Sequence, residues 1–359
     1  MIKQKKIYFP DILNQKKESV WQEIKKYLNL LVSYPKFCDV PKKYYDLVDF
    51  HKEIVSDYPK RQGKYVRPSL VLLTAGAMGF SEKKAIKTAA AMQISEEWIL
   101  NHDDIEDNSL ERRGKPCLHR IYGEELAINA GDGLHILMWK VLIGNKETIG
   151  VKKTFAVMEE FFKMLNRTVF GQGVESKWIL ENKTDLTDED VLLILESKTG
   201  YYTIAGPMRL GAILAGASER QLNKIYEFGK PLGYCYQIRD DLLDLTSDFS
   251  GLKKQQGNDI YEGKRTIMLA HLLRVLKSND RDKLLKILKK TREKKKKEEV
   301  FWVIEKMKDY GSLDYAKVLV EKYAAEAKIY FRKNLGFLKK EPFRSQLLAG
   351  IDFIVKREY

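Results

Sequence analysis

The chain has 359 residues, 44% of them hydrophobic, with a formal net charge of +14 and a pI near 9.3. Its three cysteines, Cys38, Cys117 and Cys235, are far apart and form no CxxC, which argues against a disulfide framework or zinc ribbon and for a reducing cytoplasm. The positive charge suits phosphorylated substrates or a peripheral contact with an anionic membrane surface; without zinc-finger spacing or an aromatic RNA-binding signature, no nucleic-acid partner is expected.

The N-terminus, Met1 to Lys6, is basic, but Asp11 and Gln15 interrupt the segment after it before any apolar run develops, so no signal peptide is expected. Residues 1–40 read as a basic leader and an added helix, an appendage to a single all-helical domain over 41–359. No stretch reads as long enough to span a bilayer. Breaks fall at Pro59, at Gly79, at Gly114 to Pro116, near Gly150, from Asn182 to Asp188, at Gly216, from Asp248 to Gly257 and at Gly311, which leaves roughly a dozen helices. The helices around 85 to 107 and 219 to 246 carry apolar residues on more than one face, as central helices do.

Capping boxes mark helix starts at Thr187 with Asp190 and at Ser218 with Gln221. From Leu313, Ala316, Val320, Tyr323, Ala324, Ala327, Tyr330 and Phe331 recur at steps of three and four, the mark of an amphipathic helix. Lys289, Lys290 and Lys294 to Lys297 read as solvated helix ends or loops. Strand alternation is scarce, and the fold class is all-α.

Two acidic runs stand out against this background. Asp103-Asp104-Ile105-Glu106-Asp107 and Asp240-Asp241-Leu242-Leu243-Asp244 repeat an Asp-Asp-x-x-Asp spacing within apolar helical stretches. On an α-helix, residues i and i+4 share a face and i+1 lies roughly 100° round, so each run clusters two or three carboxylates on one side. Such clusters are tolerable when cations neutralise them. Oxygen ligands with no nearby His or Cys in metal-ligand pattern favour Mg²⁺, which keeps waters and shares its shell with phosphate oxygens.

Four further motifs accompany the acids. Gly63-Lys64-Tyr65-Val66-Arg67-Pro68 sets two cations at a helix start, where free backbone N–H groups add to anion attraction. Arg112-Arg113-Gly114-Lys115-Pro116 follows the first run, Lys198-Thr199-Gly200 lies between the runs, and Gly257 to Thr266 follows the second. In this order and spacing, from about Gly63 to Thr266, the chain resembles the trans-isoprenyl diphosphate synthases, or head-to-tail polyprenyl synthetases, most closely their archaeal geranylgeranyl diphosphate synthase type.

The resemblance implies a bundle of ten or more helices around a central cavity, with the two aspartate runs facing each other across its mouth, in a homodimer. It implies that Asp103, Asp107 and Asp240 hold Mg²⁺ on the diphosphate of an allylic substrate, with Asp104, Asp241 and Asp244 near or in the outer shell. Arg112, Lys198, Lys254 and Lys264 would contact that diphosphate. Gly63, Lys64, Arg67 and Arg113 match the site of isopentenyl diphosphate, and Thr199 and Gln237 lie where their oxygens can stabilise a carbocation. The implied reaction is Mg-dependent head-to-tail condensation giving mainly geranylgeranyl diphosphate, with farnesyl diphosphate as runner-up.

Two departures from the family pattern matter. Glu96 stands seven residues before Asp103, where His or Gln usually donates to isopentenyl diphosphate; it either repels that substrate or pairs with Lys64 or Arg67 and orients it. Gln93, three residues earlier, is a candidate replacement donor. The usual Gly-Lys after the second run reads Lys253-Lys254. Product length is expected to be set by Trp98, with small Ser95 and Ala91 one and two turns deeper. A class I terpene cyclase would carry Asn, Ser and Glu in place of the second run, and a non-catalytic partner subunit would have lost acids or cations that this chain keeps.

Overall fold

The computed structural model describes residues 7–31, 40–246 and 256–356, so Cys38, Lys253 and Lys254 lie outside the described residues. The α-helices are α1 Phe9–Leu30, α2 Tyr45–Arg61, α3 Val66–Ala77, α4 Glu82–Glu106, α5 Leu118–Tyr122, α6 Glu124–Gly144, α7 Lys146–Ile149, α8 Val151–Leu180, α9 Asp188–Ile194, α10 Gly206–Leu214, α11 Glu219–Thr246, α12 Asn258–Glu262, α13 Ile267–Val275, α14 Ser278–Leu288, α15 Lys297–Asp309, α16 Ser312–Asn334 and α17 Phe343–Lys356. A π-helix over Leu195–Ala205 joins α9 to α10. Among the described residues the strands are β1 Glu111–Arg112 and β2 Lys115–Pro116, paired antiparallel. The all-α expectation therefore holds.

Contacts divide the chain into two compact units. Unit 1 comprises Met1–Phe161, Pro207–Leu222 and Phe337–Ala349, and unit 2 comprises Phe162–Gly206, Asn223–Gly336 and Gly350–Tyr359.

Within unit 1, α3 is buried at every position except Arg67, as its all-round apolar and small composition requires. It packs between α1, which buries Phe9, Ile12, Leu13, Val20 and Ile24, and α4, whose Ala85 to Ile94 stretch is largely buried. Helix α4 in turn lies along α6. Truncating a fully buried side chain here, such as Leu73 to Ala, would cost about 2–5 kcal/mol. Two expectations fail in this unit. Pro59 does not break its helix: α2 runs on to Arg61 and ends at Gln62, which adopts φ 46°. The run Glu124–Ile149 is long and apolar enough, by length and composition, to cross a membrane. Its apolar residues serve two faces, one packed against α4 and one carrying exposed Ile128, Ile136 and Ile143.

Within unit 2, α16 buries Leu313, Ala316, Val320, Tyr323, Ala324, Ala327 and Phe331, the stripe its periodicity predicts, with Tyr330 only half-buried. Aromatic contacts tie it to α11: Phe228 meets Phe331 edge-on at 5.4 Å and Tyr234 meets Tyr323 at 5.1 Å. The Thr187 box forms in full, with Thr187 and Asp190 exchanging backbone and side-chain hydrogen bonds. The Ser218 box does the same in unit 1.

Candidate active site

In unit 1 the Gly63 to Pro68 motif reads as the entry to α3. Tyr65 takes a left-handed conformation as the N-cap, Arg67 sits half-buried in the first turn, and Lys64 is exposed. Arg67 Nη1 lies 3.1 Å from Glu96 Oε1. Arg113 is the first turn residue of the β1–β2 hairpin and, with Gly114, has positive φ, the pairing a two-residue hairpin loop demands. Its Nη1 donates to both oxygens of Glu97, at 3.1 and 2.8 Å, and to the Tyr58 carbonyl at 3.2 Å. Its Nη2 lies 3.9 Å from Glu96 Oε1, and a Cβ added at Gly63 would stand 2.8 Å from that nitrogen. Gly63, Arg67, Glu96 and Arg113 are thus brought together.

Gln93 does not replace the missing donor: it is fully buried and gives its amide to Glu97 Oε1 at 2.7 Å. Glu97, also fully buried, escaped the motif reading; its only sequence signal is a second acid within an apolar helical stretch. Burial pushes its carboxyl up, and the Arg113 charge pulls it back part of the way.

The first acidic run fills the last turn of α4. Asp104 is fully buried, taking Arg112 Nε and Nη2 and the Tyr58 hydroxyl at 2.6 Å. Although burial opposes the charge on Arg112, the Asp104 carboxylate raises its pKa further above the usual value. Asp103 and Asp107 are half-buried. One turn and more before them, Trp98 stacks face to face on His135 of α6, ring centroids 4.0 Å apart and 9° from parallel, and meets His102 edge-on. His135 accepts from Trp139 Nε1 at 2.9 Å. Ser95 and Ala91 are fully buried. His135 had no signal in the sequence, since its role depends on the packing of α6 against α4.

Unit 2 assembles the other set. The π-helix and α11 approach so closely that a Cβ at Gly233 would stand 2.3 Å from the Gly200 Cα. One turn along, Thr199 Oγ1 donates to Gln237 Oε1 at 3.0 Å, and Gln237 Nε2 donates to Asp241 Oδ1 at 2.7 Å. Short π segments are frequent at functional sites. Lys198 Nζ donates to Glu175 Oε2 at 2.9 Å, and Lys264 Nζ lies 2.7 Å from Glu262 Oε2. Glu175, Lys198, Thr199, Gln237, Asp241 and Lys264 line one cleft in this unit. Asp240 is half-buried, whereas Asp241 and Asp244 are buried, Asp244 accepting the Asp259 N–H at 3.1 Å. Burial pushes the Asp241 carboxyl up to about 7, the Gln237 bond opposing and Asp240 adding to the rise.

The first acidic run lies where α4 ends, at the negative pole of its dipole and with no basic residue in its last turn, and the second occupies the last described turns of α11, where the Asp244 carbonyl accepts from the Gly257 N–H at 2.9 Å. Carboxylates so placed raise the local affinity for cations. Among the described residues no three His, Cys, Asp or Glu side chains converge into a site of their own. The donor set fits an ion that completes its shell with water and phosphate oxygens, as Mg²⁺ does.

The polyprenyl synthetase family model matches residues 48–307. The chain is 32% identical to the short chain isoprenyl diphosphate synthase of Methanothermobacter thermautotrophicus, covering 89% of this chain and 98% of that one. It is 27% identical to the geranylfarnesyl diphosphate synthase of Natronomonas pharaonis, over 83% of this chain and 87% of that one. The crystal structure of geranylgeranyl pyrophosphate synthetase from Pyrococcus horikoshii superposes with a TM-score of 0.80 at 30% identity, covering 97% of this chain and 99% of that one.

Proposed function

The chain belongs to the polyprenyl synthetase family and is a prenyltransferase; from that premise we propose that it joins isopentenyl diphosphate head to tail with allylic diphosphates and releases mainly the twenty-carbon geranylgeranyl diphosphate. The observation that carries this reading is that each acidic run lies in a unit that also supplies basic side chains suited to a diphosphate, Arg112 and Arg113 with the first and Lys198 and Lys264 with the second. Asp103, Asp107 and Asp240 would hold Mg²⁺, which when bound neutralises a diphosphate leaving group.

The chain's own residues do the rest. Lys198, Lys264 and the Nη1 edge of Arg112, which Asp104 leaves for other partners, stabilise the charge that builds on the departing pyrophosphate. Lys254 belongs with them by its place in the sequence. Oxygens of Thr199 and Gln237, held by their mutual hydrogen bond, stabilise the allylic cation. Lys64, Arg67 and Arg113 hold the second substrate, and the departed pyrophosphate takes the proton released after the carbon–carbon bond forms. Trp98, stacked on His135, limits chain growth, which favours the twenty-carbon product and makes the fifteen-carbon farnesyl diphosphate the runner-up.

Exposed Ile128, Ile136 and Ile143 recur at steps of eight and seven on α6, with exposed Val151 and Phe155 following on α8; such a face supports a homodimer. Neither a terpene cyclase nor a non-catalytic subunit gains support from the relatives, which bear synthase names. The test is incubation of the purified protein with Mg²⁺, isopentenyl diphosphate and each of the five-, ten- and fifteen-carbon allylic diphosphates, with product length read by chromatography. Absence of any elongated product across all three primers would overturn the assignment.

A further inference from the structure

We propose that Glu97 is the positioning residue of the isopentenyl diphosphate site, clamping one edge of the Arg113 guanidinium so that the other edge is presented to the diphosphate. The inference rests on the function proposed above. A carboxylate removed wholly from water costs several kcal/mol unless it is paired and hydrogen-bonded, so a buried Glu97 demands a partner that holds it in return. That partner is Arg113, whose Nη1 reaches both carboxylate oxygens, while Gln93 fixes the carboxylate from the preceding turn of α4.

Two features show that the guanidinium is held rather than merely neutralised. Its Nη2 lies against Gly63, where a β-carbon would intrude to 2.8 Å. Its hydrogen bonds among the described residues all leave from Nη1, to Glu97 and the Tyr58 carbonyl, which keeps the Nη2 edge for an incoming anion. Glu96 pairs with Arg67 at 3.1 Å and stands 3.9 Å from Arg113 Nη2, too far to hydrogen-bond it. A carboxylate suits the clamp because both of its oxygens accept; an amide in the same place offers one acceptor and turns a donor toward Nη1.

The test is Glu97→Gln, assayed with isopentenyl and geranyl diphosphates. The Michaelis constant for isopentenyl diphosphate should rise about tenfold, the worth of one charge-assisted hydrogen bond, with kcat and the constant for geranyl diphosphate within about twofold of wild type. The exchange Gln93→Glu with Glu97→Gln restores the charge one turn away and should leave the constant raised, since geometry rather than charge is at stake. If Glu97→Gln does not fold, Gly63→Ala displaces the same guanidinium from the opposite side and should produce the same selective rise. An unchanged constant for isopentenyl diphosphate, or equal losses toward both substrates together with a lower unfolding midpoint, would reduce Glu97 to a strut for the hairpin. A wild-type protein with no turnover on any primer overturns the assigned reaction instead.

Discussion

Asp104 receives the Nε and Nη2 groups of Arg112 and the Tyr58 hydroxyl while fully buried, so the middle acid of the first run anchors the hairpin to α4. Asp103 and Asp107, half-buried on either side, are the acids of this run proposed to hold the ion. Asp104→Ala is therefore expected to lower stability by about 3–5 kcal/mol, because it leaves a buried guanidinium without its counter-charge. Asp103→Ala and Asp240→Ala should leave the urea midpoint unchanged or higher and cut turnover at least about a hundredfold. Urea melts set beside steady-state rates check the contrast; near-normal turnover in Asp103→Ala at saturating magnesium removes the metal assignment.

The Arg67–Glu96 pair supports the orienting role over the repelling one for the acid at that position. With 3.1 Å between Nη1 and Oε1, Glu96 orients the arginine, so Glu96→Gln or Glu96→His should raise the Michaelis constant for isopentenyl diphosphate by about three- to tenfold. A lowered constant would mean that Glu96 repels the substrate.

The Trp98–His135 stack offers a test of the proposed limit on product length. The indole Nε1 is buried with no hydrogen-bond partner among the described residues, so packing alone holds the ring. Trp98→Ala should shift products to twenty-five carbons or longer, and His135→Ala should shift them the same way to a smaller extent, provided the space does not collapse. Chromatography of extracted alcohols reads both; an unchanged distribution in a folded, active Trp98→Ala enzyme assigns the limit to another residue.

Lys295, buried beside the Tyr261 carbonyl at 2.8 Å, supplies a pH test of stability. Burial and the charges of Arg265 and Arg292 push its ammonium down to about 8. In the unfolded chain it titrates near 10.4, so between about pH 8 and that value the unfolded state binds the extra proton and stability rises with pH. Below about pH 8 both states are protonated and the burial penalty is constant. The stability of wild type relative to Lys295→Met should thus increase by on the order of 2 kcal/mol between about pH 7.5 and about pH 10. A flat difference in paired urea melts would show that the lysine keeps an ordinary pKa.

The parts of this fold that the sequence made legible are local. The capping boxes at Thr187 and Ser218, the stripe on α16 and the chain reversals at Gly79, Gly150, Gly216 and Gly311 all depend on residues within a turn or two of one another. The acidic runs and their cations were legible through order and spacing. Glu97 and Glu175 were not, because what distinguishes them is a cation 16 and 23 positions away, brought close only by packing. The same holds for His135, which matters through its stack on Trp98. Pro59 misled by a short distance: the helix carries on two residues past the proline and stops where Gln62 turns to positive φ.

The Gly200–Gly233 approach also bears on how freely this sequence can drift. A β-carbon at Gly233 would meet the Gly200 Cα at 2.3 Å, whereas one at Gly200 would meet nothing closer than the Leu195 carbonyl at 3.3 Å. The crossing is therefore lopsided: a methyl group is nearly admissible on the π-helix and inadmissible on α11. Separating the two helices would break the 3.0 Å bond from Thr199 to Gln237 with every functional group still in place. In a saturation library selected for activity, Gly233 should rank with the aspartates in intolerance, and Gly200 should admit alanine.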